Sequence, residues 1–202
     1  MKYLLLIMCA ALIFISTQGR SMDVSDSIKQ EKPIDAEYTI LAGGCFWCIE
    51  SEFRALDGVI YTEVGYIGGK SDSPTYRDIT TGKTGHAEAI KIYYDPKVIN
   101  LIQLYNFHLT KAHDPTQLNR QGVDIGTQYR SAIFYANEAQ KILAEKAIQS
   151  AQRSWDKDIV TTLEPETHFW LGEDYHQQYY EKYEQTNGRP HARVIYKKLN
   201  RN

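Results

Sequence analysis

Between residues 38 and 56 the chain has to pass from an extended apolar segment into a helix, and it does so across two glycines and a cysteine. Tyr38-Thr39-Ile40-Leu41-Ala42 reads as a short buried strand. Apolar side chains then recur at Ile49, Phe53 and Leu56, the spacing of one helix face. Gly43-Gly44 is the strand-to-helix turn, which puts Cys45 at the helix N-terminus with Phe46, Trp47 and Cys48 directly after it. Unpaired backbone N–H groups and the positive end of the helix dipole favour a thiolate over a thiol there. A thiolate is the nucleophilic form of cysteine, so the position predicts reactivity.

The 202 residues suit one domain with a substantial core, and 43% hydrophobic with 24% charged residues is ordinary for a soluble globular protein. A formal charge of −2 gives no basic footprint for nucleic acid. Lys2 followed by an apolar run over residues 3–15, and then by small and polar residues, has the layout of a secretory signal. Residues 1–22 are therefore expected to be a signal peptide and the protein to be exported, to the periplasm. An uncleaved N-terminal membrane anchor is the alternative, although the run is short for a span. Residues 23–36 are polar and read as a flexible linker, with the folded domain over 37–202. Removing the signal also removes Cys9 and leaves Cys45 and Cys48 alone. Two cysteines so close in sequence enclose too small a loop to staple a fold, so the pair reads as redox-active.

Further along, residues 59–66 and 86–94 alternate as strands, and the second sets Glu88, Ile90, Ile92 and Tyr94 on one face. Asn100 with Gln103, and Asn137 with Gln140, resemble helix-capping pairs; the first helix closes at His113-Asp114-Pro115 and the second runs to about Trp155. Residues 116–130 form a long polar loop, and strands are expected at 131–135 and 158–163. Fifteen tyrosines are many for this length, and those at 175, 179, 180 and 183 read as a helix or loop covering the sheet. Without a regular βαβ alternation, the order of elements predicts an α+β fold, a two-layer α/β sandwich around a mixed sheet in a single domain.

The Cys45-x-x-Cys48 pair has three chemical readings. Half of a zinc site lacks a second cysteine pair, and the six histidines show no ligand spacing. A thioredoxin-type dithiol normally carries smaller residues between its thiols than Phe46 and Trp47, and sits in a different surrounding pattern. The third reading is a nucleophile with an adjacent resolving thiol, in which the two rings form an apolar pocket suited to a methyl–sulfur group.

Five blocks in order carry a resemblance: Gly43-Gly44-Cys45-Phe46-Trp47-Cys48, Thr84-Gly85-His86-Ala87-Glu88, His113-Asp114-Pro115-Thr116, Gly126-Thr127-Gln128-Tyr129-Arg130-Ser131 and Glu173-Asp174-Tyr175-His176-Gln177. Together, over roughly residues 38–185, they make the chain similar to the peptide methionine sulfoxide reductase A family. The resemblance implies reduction of the S epimer of methionine sulfoxide, free or within oxidised proteins. It implies Cys45 as nucleophile, Glu88 as the acid that protonates the departing oxygen, Tyr76 and Tyr129 as phenol donors to that oxygen, Asp124 as a polar neighbour, and Phe46 and Trp47 around the methyl group. Many relatives keep resolving cysteines in a C-terminal tail, but residues 184–202 contain none. Cys48 is then the expected resolving thiol, and the Cys45–Cys48 disulfide would be reduced by thioredoxin or a thioredoxin-like periplasmic dithiol protein. No cofactor, metal or nucleic acid is implied, and nothing requires more than a monomer. A general exported thiol–disulfide oxidoreductase or dithiol carrier is the competing class; it has little use for Glu88. His86 and His176 read as structural hydrogen-bonding residues.

Overall fold

The computed structural model describes residues 32–191. In chain order the elements are β1 (Glu37–Gly43), α1 (Phe46–Arg54), β2 (Val59–Ile67), α2 (Tyr76–Thr80), β3 (Ala87–Tyr94), α3 (Leu101–Phe107), β4 (Arg120–Gln121), β5 (Asp124–Ile125), β6 (Ser131–Tyr135), α4 (Glu138–Gln152), β7 (Thr162–Pro165), β8 (Trp170–Leu171) and α5 (Tyr179–Asn187). Six strands form one sheet in the order β7-β6-β1-β3-β2-β8, and β4 with β5 makes a separate short ladder. The β6–β7 pair is parallel and the others in the large sheet are antiparallel, so the sheet is mixed as expected.

Register decides which side chains share a face. Leu41 lies opposite Ile90 and Ile133, Val64 opposite Ile90, and Tyr66 opposite Glu88. That face packs against Phe46, Ile49 and Phe53 of α1, Leu104 and Tyr105 of α3, and Ala144, Ala147 and Ala151 of α4. The other face is built of Ile40, Ala42, Ala87, Ala89, Ala132 and Phe134, with Tyr38 and Phe169 against it. The helices are thus gathered on one side, giving the two-layer α+β sandwich. The period-2 alternation of β3 delivers Glu88 to the helix-bearing side, in line with Ile90 and Ile92.

Local chemistry explains most element ends. Asn100 and Gln103 form a reciprocal capping box on α3, and the Asn137 side chain accepts from the Gln140 N–H. After Phe107 the helix widens into a π-helical turn over His108–Ala112 and ends at His113, whose Nδ1–H donates to the His108 carbonyl at 2.9 Å. His113 Nε2 accepts from the Ser131 hydroxyl at 2.7 Å, which brings the ring against β1. A Cβ on Gly43 would stand 2.8 Å from that ring, and this close approach explains the first glycine of the pair. The strand expected at 158–163 is displaced to Thr162–Pro165. The Ile159 N–H is taken by the Gln152 side chain and the Val160 N–H by the Pro115 carbonyl, so neither can join the β6 ladder. The loop at 116–130 contains the β4–β5 ladder and a 3-10 turn at Thr127–Tyr129. The expected signal peptide at 1–22 and most of the linker at 23–36 lie outside the described residues; Lys32, in that linker, donates to Glu63 at 3.0 Å.

Gly44 has φ +103°, and a Cβ there would meet Gln121 Cβ at 2.7 Å. Gly44→Ala is therefore expected to cost about 2 kcal/mol through backbone strain and the clash. A denaturant midpoint equal to the parent's would show that the turn tolerates a side chain.

Candidate functional site

Helix α1 starts where the glycine turn ends, with Cys45 as its N-cap and its carbonyl accepting from the Cys48 and Ile49 N–H groups. Cys45 and Cys48 are both half-buried thiols. The helix-terminus argument predicts a lowered thiol pKa, and the structure corrects it. The hydrogen bond with Cys48, then burial, then the Glu88 charge push the Cys45 thiol well above its ordinary value. A helix end lowers a thiol's pKa only where it outweighs burial and the neighbouring groups that oppose the anion. The reduced site therefore holds a thiol near neutrality.

Glu88 lies beneath it, 2% exposed. The Phe46 N–H donates to Glu88 Oε2 at 3.1 Å, which satisfies both a helix-start donor and a buried acceptor. Burial is the main cause that pushes the Glu88 carboxyl up to about 8, with Asp124 and Cys48 adding to it and the Phe46 N–H opposing it. The group is thus a neutral acid at pH 7, able to donate a proton.

Around this pair stand the other predicted residues. Tyr76 opens α2, and burial followed by the Glu88 and Cys45 charges pushes its hydroxyl up to about 12. Tyr129 is raised by burial and then by Glu88, Tyr76, Asp124 and Cys45. Asp124, on β5, is itself raised by burial. These mutual influences place Cys45, Cys48, Glu88, Tyr76, Tyr129 and Asp124 in one site. Phe46 is 2% exposed and lies inside the aromatic wall, 5.9 Å from Tyr66, 6.5 Å from Tyr76 and 4.9 Å from His176 between ring centroids. Trp47 remains half-buried and stacks on Tyr179 at 3.7 Å and 7°.

The segment 173–178 holds this wall in place, a role that the sequence suggests only for His176, as a structural hydrogen-bonding residue. Glu173 accepts from the Tyr66 hydroxyl at 2.7 Å and from the Tyr76 N–H at 2.8 Å. Burial works against its charge, but those two donors keep its carboxyl below the ordinary value. His176 Nδ1 accepts from the Trp47 indole N–H at 3.0 Å, and burial lowers its pKa, so the ring is a neutral acceptor. Gln177 exchanges hydrogen bonds with both the N–H and the carbonyl of Val64 on β2, each 2.9 Å. Gln178 donates from its backbone at 2.9 Å and from its side chain at 3.2 Å to Glu50, a carboxyl within α1 that burial pushes up to about 7. The available signal was the Glu173-Asp174-Tyr175-His176-Gln177 block itself, in which polar residues follow one another inside an aromatic tract. His86 also proves structural: its Nε2–H donates to the Ser71 carbonyl and its Nδ1 accepts from the Gly69 N–H. Among the described residues no group of three or more His, Cys, Asp or Glu side chains is arranged to hold a metal ion.

Residues 37–202 match the family model described as peptide methionine sulfoxide reductase. The chain is 51% identical over 144 residues to peptide methionine sulfoxide reductase MsrA of Erwinia tasmaniensis, covering 71% of this chain and 80% of that relative. Its fold matches the crystal structure of reduced Mxr1 from Saccharomyces cerevisiae with a TM-score of 0.70 and 37% identity, covering 80% of this chain and 91% of that one. A second crystal structure of Mxr1, in complex with Trx2, matches with a TM-score of 0.52 and 27% identity, covering 73% and 87%.

The raised Glu88 carboxyl makes stability depend on pH with a definite sign. The folded chain keeps a proton between the ordinary carboxyl value of 4.5 and about 8 that the unfolded chain releases. Its contribution is complete below 4.5 and is lost as pH rises through about 8. Glu88→Gln, neutral at every pH, is expected to flatten the fall in unfolding free energy across that window. An unchanged slope in denaturant titrations would mean that Glu88 ionises normally.

Proposed function

The chain belongs to the peptide methionine sulfoxide reductase family, and from that premise we propose how its own residues carry the reaction. It is a thiol-dependent reductase that converts methionine-S-sulfoxide to methionine. The observation that carries the residue assignment is the neutral Glu88 acid bonded to the first N–H of the helix that begins at Cys45. With Oε2 occupied by the Phe46 N–H, the acid proton sits on Oε1 and is free to meet a sulfoxide oxygen. The hydroxyls of Tyr76 and Tyr129, held protonated by their surroundings, donate to the same oxygen. Withdrawal of electron density makes the sulfoxide sulfur electrophilic, and the Cys45 sulfur attacks it. The S–O bond of the sulfoxide breaks and the oxygen ends on Cys45 as a sulfenic acid. The Cys45 thiol proton replaces the one that Glu88 gave to the oxygen, and the methionine sulfur gains the two electrons that the Cys45 sulfur loses. Trp47, with Phe46 behind it, presents aromatic surface to the substrate methyl group, and Asp124 helps to keep Glu88 neutral.

Cys48 then attacks the sulfenic acid, releasing water and forming a Cys45–Cys48 disulfide. A thioredoxin restores both thiols, a step supported by the yeast relative solved with Trx2. Export fits the layout of residues 1–22, in which case the reductant is a thioredoxin-like periplasmic protein and the working form is a monomer of the domain at 37–202.

Purified residues 23–202 with a small dithiol are expected to turn over the S epimer only. Cys45→Ser should abolish methionine formation, and Glu88→Gln should lower it about 100-fold or more. Cys48→Ser should yield one methionine per enzyme and then stall with thioredoxin as reductant. Activity should decline as pH rises through about 8, where Glu88 loses its proton. Disulfide exchange with protein thiols and no turnover of either epimer would return the site to a dithiol carrier. Mass measurement of the protein recovered from the periplasm tests export: loss of the first 22 or so residues supports it, whereas an intact N-terminus in the membrane fraction supports the anchor.

A further inference from the structure

The first turn of α5 brings one more polar atom to the reacting sulfurs. Tyr180 Oη stands 3.1 Å from Cys48 Sγ, across 132 residues of chain, on a residue only 6% exposed. The contact is braced on both sides. Gln178 is bonded to Glu50, and Glu181 accepts from Arg54 Nε at 2.8 Å. Glu50 and Arg54 both belong to α1, so α5 is clamped to the helix that carries Cys48. The stack of Tyr179 on Trp47 fixes the rotation of that turn. The oxygen-transfer step, which uses Cys45, Glu88, Tyr76 and Tyr129, has no need of this hydroxyl.

We propose that Tyr180 is the positioning residue of the resolving step: its hydroxyl aims the Cys48 sulfur and donates a hydrogen bond to it as the thiol ionises. The proposal rests on the reading of Cys48 as the resolving thiol. In that step the Cys48 S–H and Cys45 S–OH bonds break, the S–S bond forms, and the proton and hydroxyl leave as water. A thiolate is the attacking form, and a donor to it lowers the cost of ionisation. Cys45 faces Cys48 from the start of α1 and Glu88 faces it from β3, and a negative charge on either disfavours a second anion. Tyr180, from α5, brings a neutral donor to that sulfur. A phenol is the stronger donor of the pair and a thiol the weaker, so the hydrogen runs from oxygen to sulfur.

Tyr180→Phe keeps the ring and removes only the hydroxyl. Reduced enzyme would be mixed with methionine-S-sulfoxide and no reductant, while methionine, sulfenic acid trapped by dimedone, and remaining thiols are followed across pH. The first methionine should form at the parent rate, which also reports an intact site. Disulfide formation should slow about 10-fold, and the pH midpoint of that step should move up. Fluorotyrosine at position 180, a stronger donor of nearly the same shape, should move the midpoint down. A disulfide step with parental rate and pH profile in both proteins overturns the proposal, as does a slowing that is uniform across pH. Failure of the underlying reading shows elsewhere: Cys48→Ser recycled by thioredoxin at the parent rate would remove Cys48 from the cycle, and a parent that makes no methionine would remove the reaction.

Discussion

A single hydrogen bond, from the Phe46 N–H to the Glu88 carboxyl at 3.1 Å, joins the two halves of the site and sets its chemistry. A helix start carries donors with no partner inside the helix, and a carboxyl beneath the layer of helices needs a donor. Each meets the other's need, so α1 is fixed across β3 with its first turn over Glu88. The same bond puts the Phe46 ring among Tyr66, Tyr76 and His176, and the Cys45 thiol beside a group that stays protonated at neutral pH. Because burial outweighs the one N–H that favours the anion, the carboxyl is held in place without being ionised. Positioning and acidity come from the same location.

Reactive groups packed this close together also need restraint, and residues 173–178 supply it. Glu173 fixes Tyr66 and Tyr76, His176 fixes the Trp47 indole, Gln177 ties the segment to β2, and Gln178 ties it to α1. Each bond contributes only about 1 kcal/mol net, yet leaving one of these buried groups unpaired costs more than that. The outcome is a wall whose rings have one arrangement. The His176 imidazole serves it as a neutral acceptor, which a protonated ring could not do.

What could be read in advance was what depends on near neighbours in sequence. The strand–glycine–cysteine–helix junction, the capping box of Asn100 and Gln103, and the alternation that carries Glu88 to the core side of β3 are all local patterns. The role of Glu88 as an acid comes from the family resemblance, and its place on an otherwise apolar strand face argues against an ordinary solvated glutamate. Features that depend on distant partners were not readable. The strand near residue 160 shifts to Thr162–Pro165 because Gln152 and Pro115 claim the preceding N–H groups. The two-residue strand β8 exists only through its pairing with β2. The thiolate expectation fails only partly for that reason: the Cys48 thiol that opposes it most is a near neighbour in sequence, whereas the burial and the Glu88 charge that add to it come from the fold. Glu50 has no sequence signal that separates it from an exposed helical glutamate, since its three donors come from Thr62 and Gln178.

The clamp of α5 on α1 has a consequence in the order of synthesis. Ribosomes make the segment with Cys45 and Cys48 well before the residues that cover it, from Glu173 to Glu181. Until they arrive, Trp47 lacks its His176 acceptor and its Tyr179 stack, Cys48 lacks Tyr180, and Glu50 lacks Gln178. A nascent chain therefore carries the Cys45–Cys48 helix anchored to Glu88 but without its outer cover, and the finished environment forms only when residues 173–181 close over it. The aromatic wall and the surroundings of Cys48 are thus late arrivals in the protein's own biogenesis, and loss of the chain beyond α4 would leave Cys45 and Glu88 without the segment that restrains their neighbours.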